Sequence, residues 1–150
     1  MSESSFKKLV HKTFIKYGDY RKKDLHWQLH EDGLSVGIPD ISYGIDGING
    51  WIETKWTNAP ITWDQSYNPK FQKYQESWLV ARARSGGHAV LLHGFQDGFV
   101  LMNGHALSYR REGMTLSDIS ELNGAAIVVG QEPIFSVNDV ITLVYKLDNY

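Results

Sequence analysis

Between Gly37 and Trp56 the chain sets three charged side chains into runs that otherwise read as buried strands. Gly37-Ile38-Pro39-Asp40 leads into Ile41-Ser42-Tyr43-Gly44-Ile45, and after a polar turn comes Trp51-Ile52-Glu53-Thr54-Lys55-Trp56. The charges are Asp40, Glu53 and Lys55. Burying an ionised group is costly unless it is paired, so apolar strands seldom carry one. A fold built on this segment has to pair these three groups or use them.

Asp46, Gly47, Ile48, Asn49 and Gly50 lie between two β-prone runs, which is a hairpin signal. A four-residue loop over 46–49 pairs Ile45 with Gly50. That register sets Asp40 opposite Lys55 and Ser42 opposite Glu53. Side chains alternate along a strand, so Trp51, Glu53 and Lys55 share a face. Asp40 and Glu53 are then diagonal neighbours, about 7–8 Å apart at most. Two carboxylates at that distance can grip one divalent cation, and hard cations such as Mg²⁺ take oxygen ligands. The lysine beside them can hold or polarise an attacking water. The plainer reading is a cross-strand ion pair of Asp40 with Lys55, with Glu53 at an exposed edge. It leaves unexplained why Glu53 shares the face of Lys55.

Ahead of this segment, Ser2 through Tyr17 reads as a helix with Phe6, Leu9, Val10, Phe14 and Tyr17 on one stripe. Ser2 is its N-cap signal and Gly18 its C-cap signal. Glu3 falls in the first turn, where it complements the helix dipole. Leu25–Leu29 is a short strand candidate. Residues 57–69 have loop composition. Asn68 and Pro69 are a start signal for a second helix, with Phe71, Tyr74, Trp78 and Leu79 as its stripe and Gly86-Gly87 as its end. Gln75 sits on that helix. Ala89–Phe95 is a buried strand candidate, parallel to its predecessor after a helical crossover. Phe99–Met102 reads as a strand, Thr115-Leu116-Ser117-Asp118 as a capped helix start, Ala125–Val129 as a strand, and Ser136-Val137-Asn138-Asp139 as the start of a last helix.

Pro39-Asp40, a 12-residue spacer and Glu53-Thr54-Lys55 together resemble the PD-(D/E)xK nuclease signature. Glu3-Ser4-Ser5-Phe6-Lys7-Lys8-Leu9 resembles the Glu-led first helix of the VRR-NUC branch, close to the Holliday-junction-resolvase-like members. Gln75-Glu76-Ser77-Trp78-Leu79, then Gly86-Gly87 and His88–Leu92, resembles that branch's Gln-bearing helix and following strand. The resemblance covers roughly residues 3–95. The Lys55–Gln75 linker is longer than compact members have, and the last 55 residues match nothing in the family's pattern.

The resemblance implies an α/β fold with a restriction-endonuclease-like core: helix, three-stranded antiparallel hairpin sheet, helix, parallel strand. A C-terminal α/β extension follows. It also implies a metal-dependent endonuclease acting on DNA. Asp40 and Glu53 are the expected ligands of Mg²⁺ or Mn²⁺, with the Thr54 carbonyl as a further ligand and Glu3 completing the shell. Lys55 is expected to act on water or phosphate, and Gln75 to position Lys55 or a phosphate. Lys7, Lys22, Lys23 and Lys70 are candidates for DNA backbone contacts. A stand-alone nuclease of this size is expected to work as a homodimer or higher homo-oligomer. The alternatives are structure-selective or site-specific cleavage on the same fold, including homing or junction resolution, and a catalytically inactive DNA-binding protein.

At 150 residues the chain is expected to form one domain, a core over about 3–95 and an extension over about 96–150. With no cysteine, disulfides and thiolate zinc sites are excluded, which fits a reducing cytoplasm. No apolar run approaches the ~18 residues of a membrane span. The net charge of −2 is no mark of a generic polyanion binder, but its distribution is uneven. Residues 1–24 hold seven lysines and arginines against three acids, and residues 112–150 hold one lysine against six acids. The front of the chain is therefore expected to present a basic face. The histidines read as structural or solvent-facing, since His26 and His30 lack a helix signal and His88 and His93 fall on opposite faces of a strand. No phosphate loop, dinucleotide fingerprint or nucleophile elbow occurs.

Overall fold

The computed structural model describes residues 1–21, 24–30, 37–45 and 47–130. Ten elements follow one another: α1 (Glu3–Arg21), β1 (His26–Leu29), β2 (Ile41–Ile45), β3 (Ile48–Trp56), α2 (Gln75–Arg84), β4 (His88–Phe95), β5 (Gly98–Asn103), α3 (Gly104–Tyr109), α4 (Leu116–Ser120) and β6 (Ala125–Val129). The strands form one six-stranded sheet in chain order. β3 and β4 are parallel, joined through α2, and every other neighbouring pair is antiparallel. The fold is thus α/β, with the core order expected from the sequence and an α/β extension that continues the same sheet. Among the described residues no helix is long and apolar enough to cross a membrane.

Helices cover both faces of the sheet. On one side Phe6, Val10 and Phe14 of α1 pack on Ile41, Tyr43, Ile52, Val90 and Leu92. On the other, Leu79 of α2, Ala106 and Leu107 of α3, and Leu116 and Ile119 of α4 pack on Ala89, Leu91, Phe95, Val100 and Met102. β4 and β5 are covered on both faces, which is why they read as near-continuous apolar runs.

Three local expectations are corrected. The hairpin does not use a four-residue loop: Ile45 pairs with Ile48, and Ser42 faces Trp51. Asp-Gly is a favoured two-residue hairpin turn, and Gly47 takes the positive φ of 75° that such a turn requires. The tight turn also buries Ile48 in the core, where the longer loop leaves it outside. The register moves by two residues, so each side chain keeps its face and changes its partner. Continued past Ile41, it sets Asp40 against Glu53, not Lys55.

Ser2 does cap α1, its hydroxyl accepting from the Ser5 N–H at 3.1 Å. Gly18 does not end it. Gly18 is buried, four residues after Phe14, so it continues the stripe of Phe6, Val10 and Phe14 where the helix lies close on the sheet.

The second helix starts at Gln75, not at Pro69. Instead of a helical bond, the Phe71 N–H reaches back to the Pro69 carbonyl at 3.1 Å, a tight three-residue turn. Tyr74 is left-handed at φ 71° and exposed, so neither it nor Phe71 belongs to the helix stripe. Farther on, Thr115 and Asp118 form the expected capping box of α4. The expected helix from Ser136 lies outside the described residues, as do Lys22 and Lys23.

Candidate active site

Asp40 stands just ahead of β2, and Glu53 and Lys55 lie on the α2 side of β3. The Asp40 N–H donates to Glu53 Oε2 at 3.3 Å. Asp40 Oδ2 accepts from both the Thr54 N–H, at 3.2 Å, and the Thr54 hydroxyl, at 3.0 Å. Its Oδ1 faces Lys7 of α1 at 3.4 Å. Asp40 does not pair with Lys55: its cation is Lys7, and the plain cross-strand ion pair is not formed.

Gln75 joins the other two charges. Its Nε2 donates to Glu53 Oε1 at 2.9 Å, and its Oε1 accepts from Lys55 Nζ at 2.9 Å and from the Gln72 N–H at 2.7 Å. The chemistry dictates this amide orientation, since a carboxylate here accepts while an ammonium and a backbone N–H only donate. Lys55 Nζ also lies 3.4 Å from Glu53 Oε1 and 5.7 Å from the centre of the Phe71 ring. Being the first residue of α2, Gln75 is carried to this place by the late start of the helix.

Glu53 is 2% exposed. Burial pushes its carboxyl up to about 7, and the neighbouring Asp40 charge pushes the same way, against Lys55. The paired carboxylates offer hard oxygen donors, and a divalent cation would relieve their mutual repulsion. The donor set therefore fits Mg²⁺ or Mn²⁺. Among the described residues no three of His, Asp and Glu gather as a metal cluster. Glu3 does not stand with the carboxylate pair. It lies on the wall of an adjoining cavity.

That cavity measures about 660 Å³ and is lined by Glu3, Lys55, Thr57, Tyr67, Lys70 and His93 among others. His93 is buried between two hydroxyls, with Tyr67 O–H 2.7 Å from Nδ1 and Thr57 Oγ1 2.7 Å from Nε2. Burial, with Lys55 adding to it, pulls the imidazole down to about 3, so it stays neutral at physiological pH. Sequence reasoning set His93 aside along with the other histidines. The signal that could have found it is the parallel pairing, which sets His93 beside Lys55. Trp51, on the face of Glu53, is occupied in packing against Trp78 and His30.

No family model and no curated protein matches this chain. Among solved structures it is similar to Hjc of Archaeoglobus fulgidus, a Holliday junction resolvase from an archaeal hyperthermophile. The identity is 17%, the TM-score 0.45, and the match covers 67% of this chain and 73% of that one.

Proposed function

We propose that the protein is a metal-dependent endonuclease that hydrolyses phosphodiester bonds in DNA. The observation that carries this reading is the linked set of Asp40, Glu53, Gln75 and Lys55 beside an open cavity. A buried Glu53 beside the partly exposed Asp40, with one amide holding Glu53 and Lys55, is an expensive arrangement for stability alone. They fit a site that handles a phosphate and its counter-ion.

Asp40 and Glu53 would hold Mg²⁺ or Mn²⁺, with the Thr54 carbonyl as a further candidate ligand. Bound there, the ion supplies charge neutralisation at the phosphate and a more acidic water. The residues do the rest. Thr54 fixes Asp40 Oδ2 and so sets the direction of Oδ1. Gln75 fixes Lys55, which orients the attacking water or balances phosphate charge. Lys70, on the cavity wall, and Lys7, once it is released from Asp40, would meet backbone phosphates.

The test is cleavage of supercoiled plasmid with Mg²⁺ or Mn²⁺. Asp40→Ala, Glu53→Ala and Lys55→Ala should each lose at least about a hundredfold in rate while keeping the far-UV circular dichroism of the wild type. A protein that binds DNA and never cuts it, with either ion, would reduce the reading to DNA binding.

A further inference from the structure

The cavity next to Lys55 carries a hydrogen-bond chain that the proposed chemistry does not use. Tyr67 is 2% exposed, and among the described residues its hydroxyl has one hydrogen-bond partner, His93 Nδ1. A buried phenol proton left without an acceptor is costly, so Tyr67 donates and Nδ1 accepts. This fixes the imidazole tautomer with its proton on Nε2, and Nε2–H donates to Thr57 Oγ1. The threonine oxygen is thereby occupied as an acceptor. Its own O–H remains to donate, and Thr57 lines the cavity together with Lys55. A charged imidazole would reverse none of this at Thr57 but would orphan the tyrosine proton. Burial keeps His93 neutral.

The cavity lining thus holds two kinds of group beside the acid Glu3. Lys55, Lys70 and the Thr57 hydroxyl donor are a set suited to an anionic oxygen. Gln65 and Asn68 bring side-chain amides. Gln65 Oε1 accepts from the Thr62 N–H at 2.6 Å, which leaves the Nε2 donors for a ligand. A free phosphate needs cations but no amides. Side-chain amide N–H groups match the acceptor atoms of a base edge. At about 660 Å³ the space is of ligand-pocket size and too small for a duplex.

We propose that this cavity is a subsite for one unpaired nucleotide of the DNA strand, its phosphate accepting from the Thr57 hydroxyl and its base facing Gln65 and Asn68. The proposal rests on the nuclease reading for the nature of the ligand. Thr57 is the contacting residue. His93 and Tyr67 are positioning residues that act through it.

The test is binding of a single-stranded oligonucleotide in EDTA, where no cleavage occurs, alongside cleavage with Mg²⁺. Thr57→Val should weaken binding about tenfold, and Thr57→Ser should keep it. Tyr67→Phe should weaken binding by less than the valine variant does, because the imidazole loses the donor that holds its proton on Nε2 and the two tautomers then compete, one of them turning the Thr57 O–H inward. The ¹⁵N shifts of His93 should report that tautomer change in the folded variant. An abasic site walked along the oligonucleotide should cost affinity at one position, and Gln65→Ala with Asn68→Ala should erase that cost.

Wild-type affinity in Thr57→Val, or equal loss in Thr57→Ser, overturns the subsite and leaves the nuclease reading intact. If Tyr67→Phe does not fold, the threonine pair decides. A wild type that cuts DNA but shows no position-specific abasic cost also overturns the subsite. A wild type that neither binds nor cuts DNA overturns both readings.

Discussion

Gln75 bridges two opposite charges that lie 3.4 Å apart. One end of its amide faces Glu53 and the other faces Lys55. Alanine at this position should leave the fold intact and remove the amide that fixes Lys55 Nζ beside Glu53. Cleavage should then fall by about ten- to a hundredfold in kcat with little change in KM, as steady-state kinetics would show. Normal kcat would make Gln75 a helix-end contact only. His93 gives a prediction that needs no substrate. Its folded-state pKa lies near 3, below the ordinary 6.5. A group depressed in the folded state contributes stability above its unfolded pKa and loses that contribution as pH falls towards the folded value. The wild type should therefore lose on the order of 3 kcal/mol relative to His93→Gln between pH 7 and pH 4. Urea denaturation of both proteins at the two pH values measures this, and parallel pH profiles would contradict a buried neutral imidazole.

At the scale of elements, the strands and the faces of their side chains were legible, while some partners and boundaries were not. The alternation of Ile41, Tyr43 and Ile45 against Asp40 and Ser42 is a local pattern, and it survives any even shift of register. The partner of Asp40 depends on which of two glycine turns closes the hairpin. Burial of Ile48 settles that in favour of Asp-Gly, a tertiary gain that turn residues alone do not display. The start of α2 was hidden for a similar reason. Asn68-Pro69 is a sound local start signal, but the chain there is spent on the cavity wall. Helix α2 begins only after Tyr74, left-handed and pressed against Gly37. A Cβ on Gly37, itself at φ 86°, would lie 2.8 Å from Tyr74 Cβ. This contact ties the segment before Asp40 to the residue before Gln75. Tyr74→Gly should relieve the left-handed strain and raise stability by up to about 1 kcal/mol in thermal denaturation. Gly37→Ala should lower it by about 2 kcal/mol and slow cleavage as well, since it displaces both arms of the site. Unchanged cleavage in a folded Gly37→Ala protein would uncouple this contact from the site.

For the whole molecule, the sheet gathers charges that are far apart in the chain. Lys7 comes from α1, Asp40 from the edge of β2, Glu53 and Lys55 from β3 and Gln75 from α2. Sequence spacing suggested the carboxylates and the lysine. The placing of Lys7 against Asp40 depends on how α1 lies across the sheet, which no local pattern states. This placement sets the electrostatics of DNA binding without metal. Asp40 and Glu53 then repel a phosphate, and Asp40 also occupies Lys7. Asp40→Asn removes one repelling charge and frees Lys7 from its acid. The variant should therefore lose cleavage yet bind DNA in EDTA at least as tightly as the wild type. Its affinity should fall more steeply with salt, the slope of log K against log salt growing by up to about 1 if Lys7 then meets a phosphate. Adding Lys7→Gln to Asp40→Asn should return that slope to the wild-type value. Fluorescence anisotropy over a salt series measures all three proteins. Loss of binding in folded Asp40→Asn would show that this carboxylate supports the DNA-bound state rather than opposing it, and the charge arrangement argued for the site would fall.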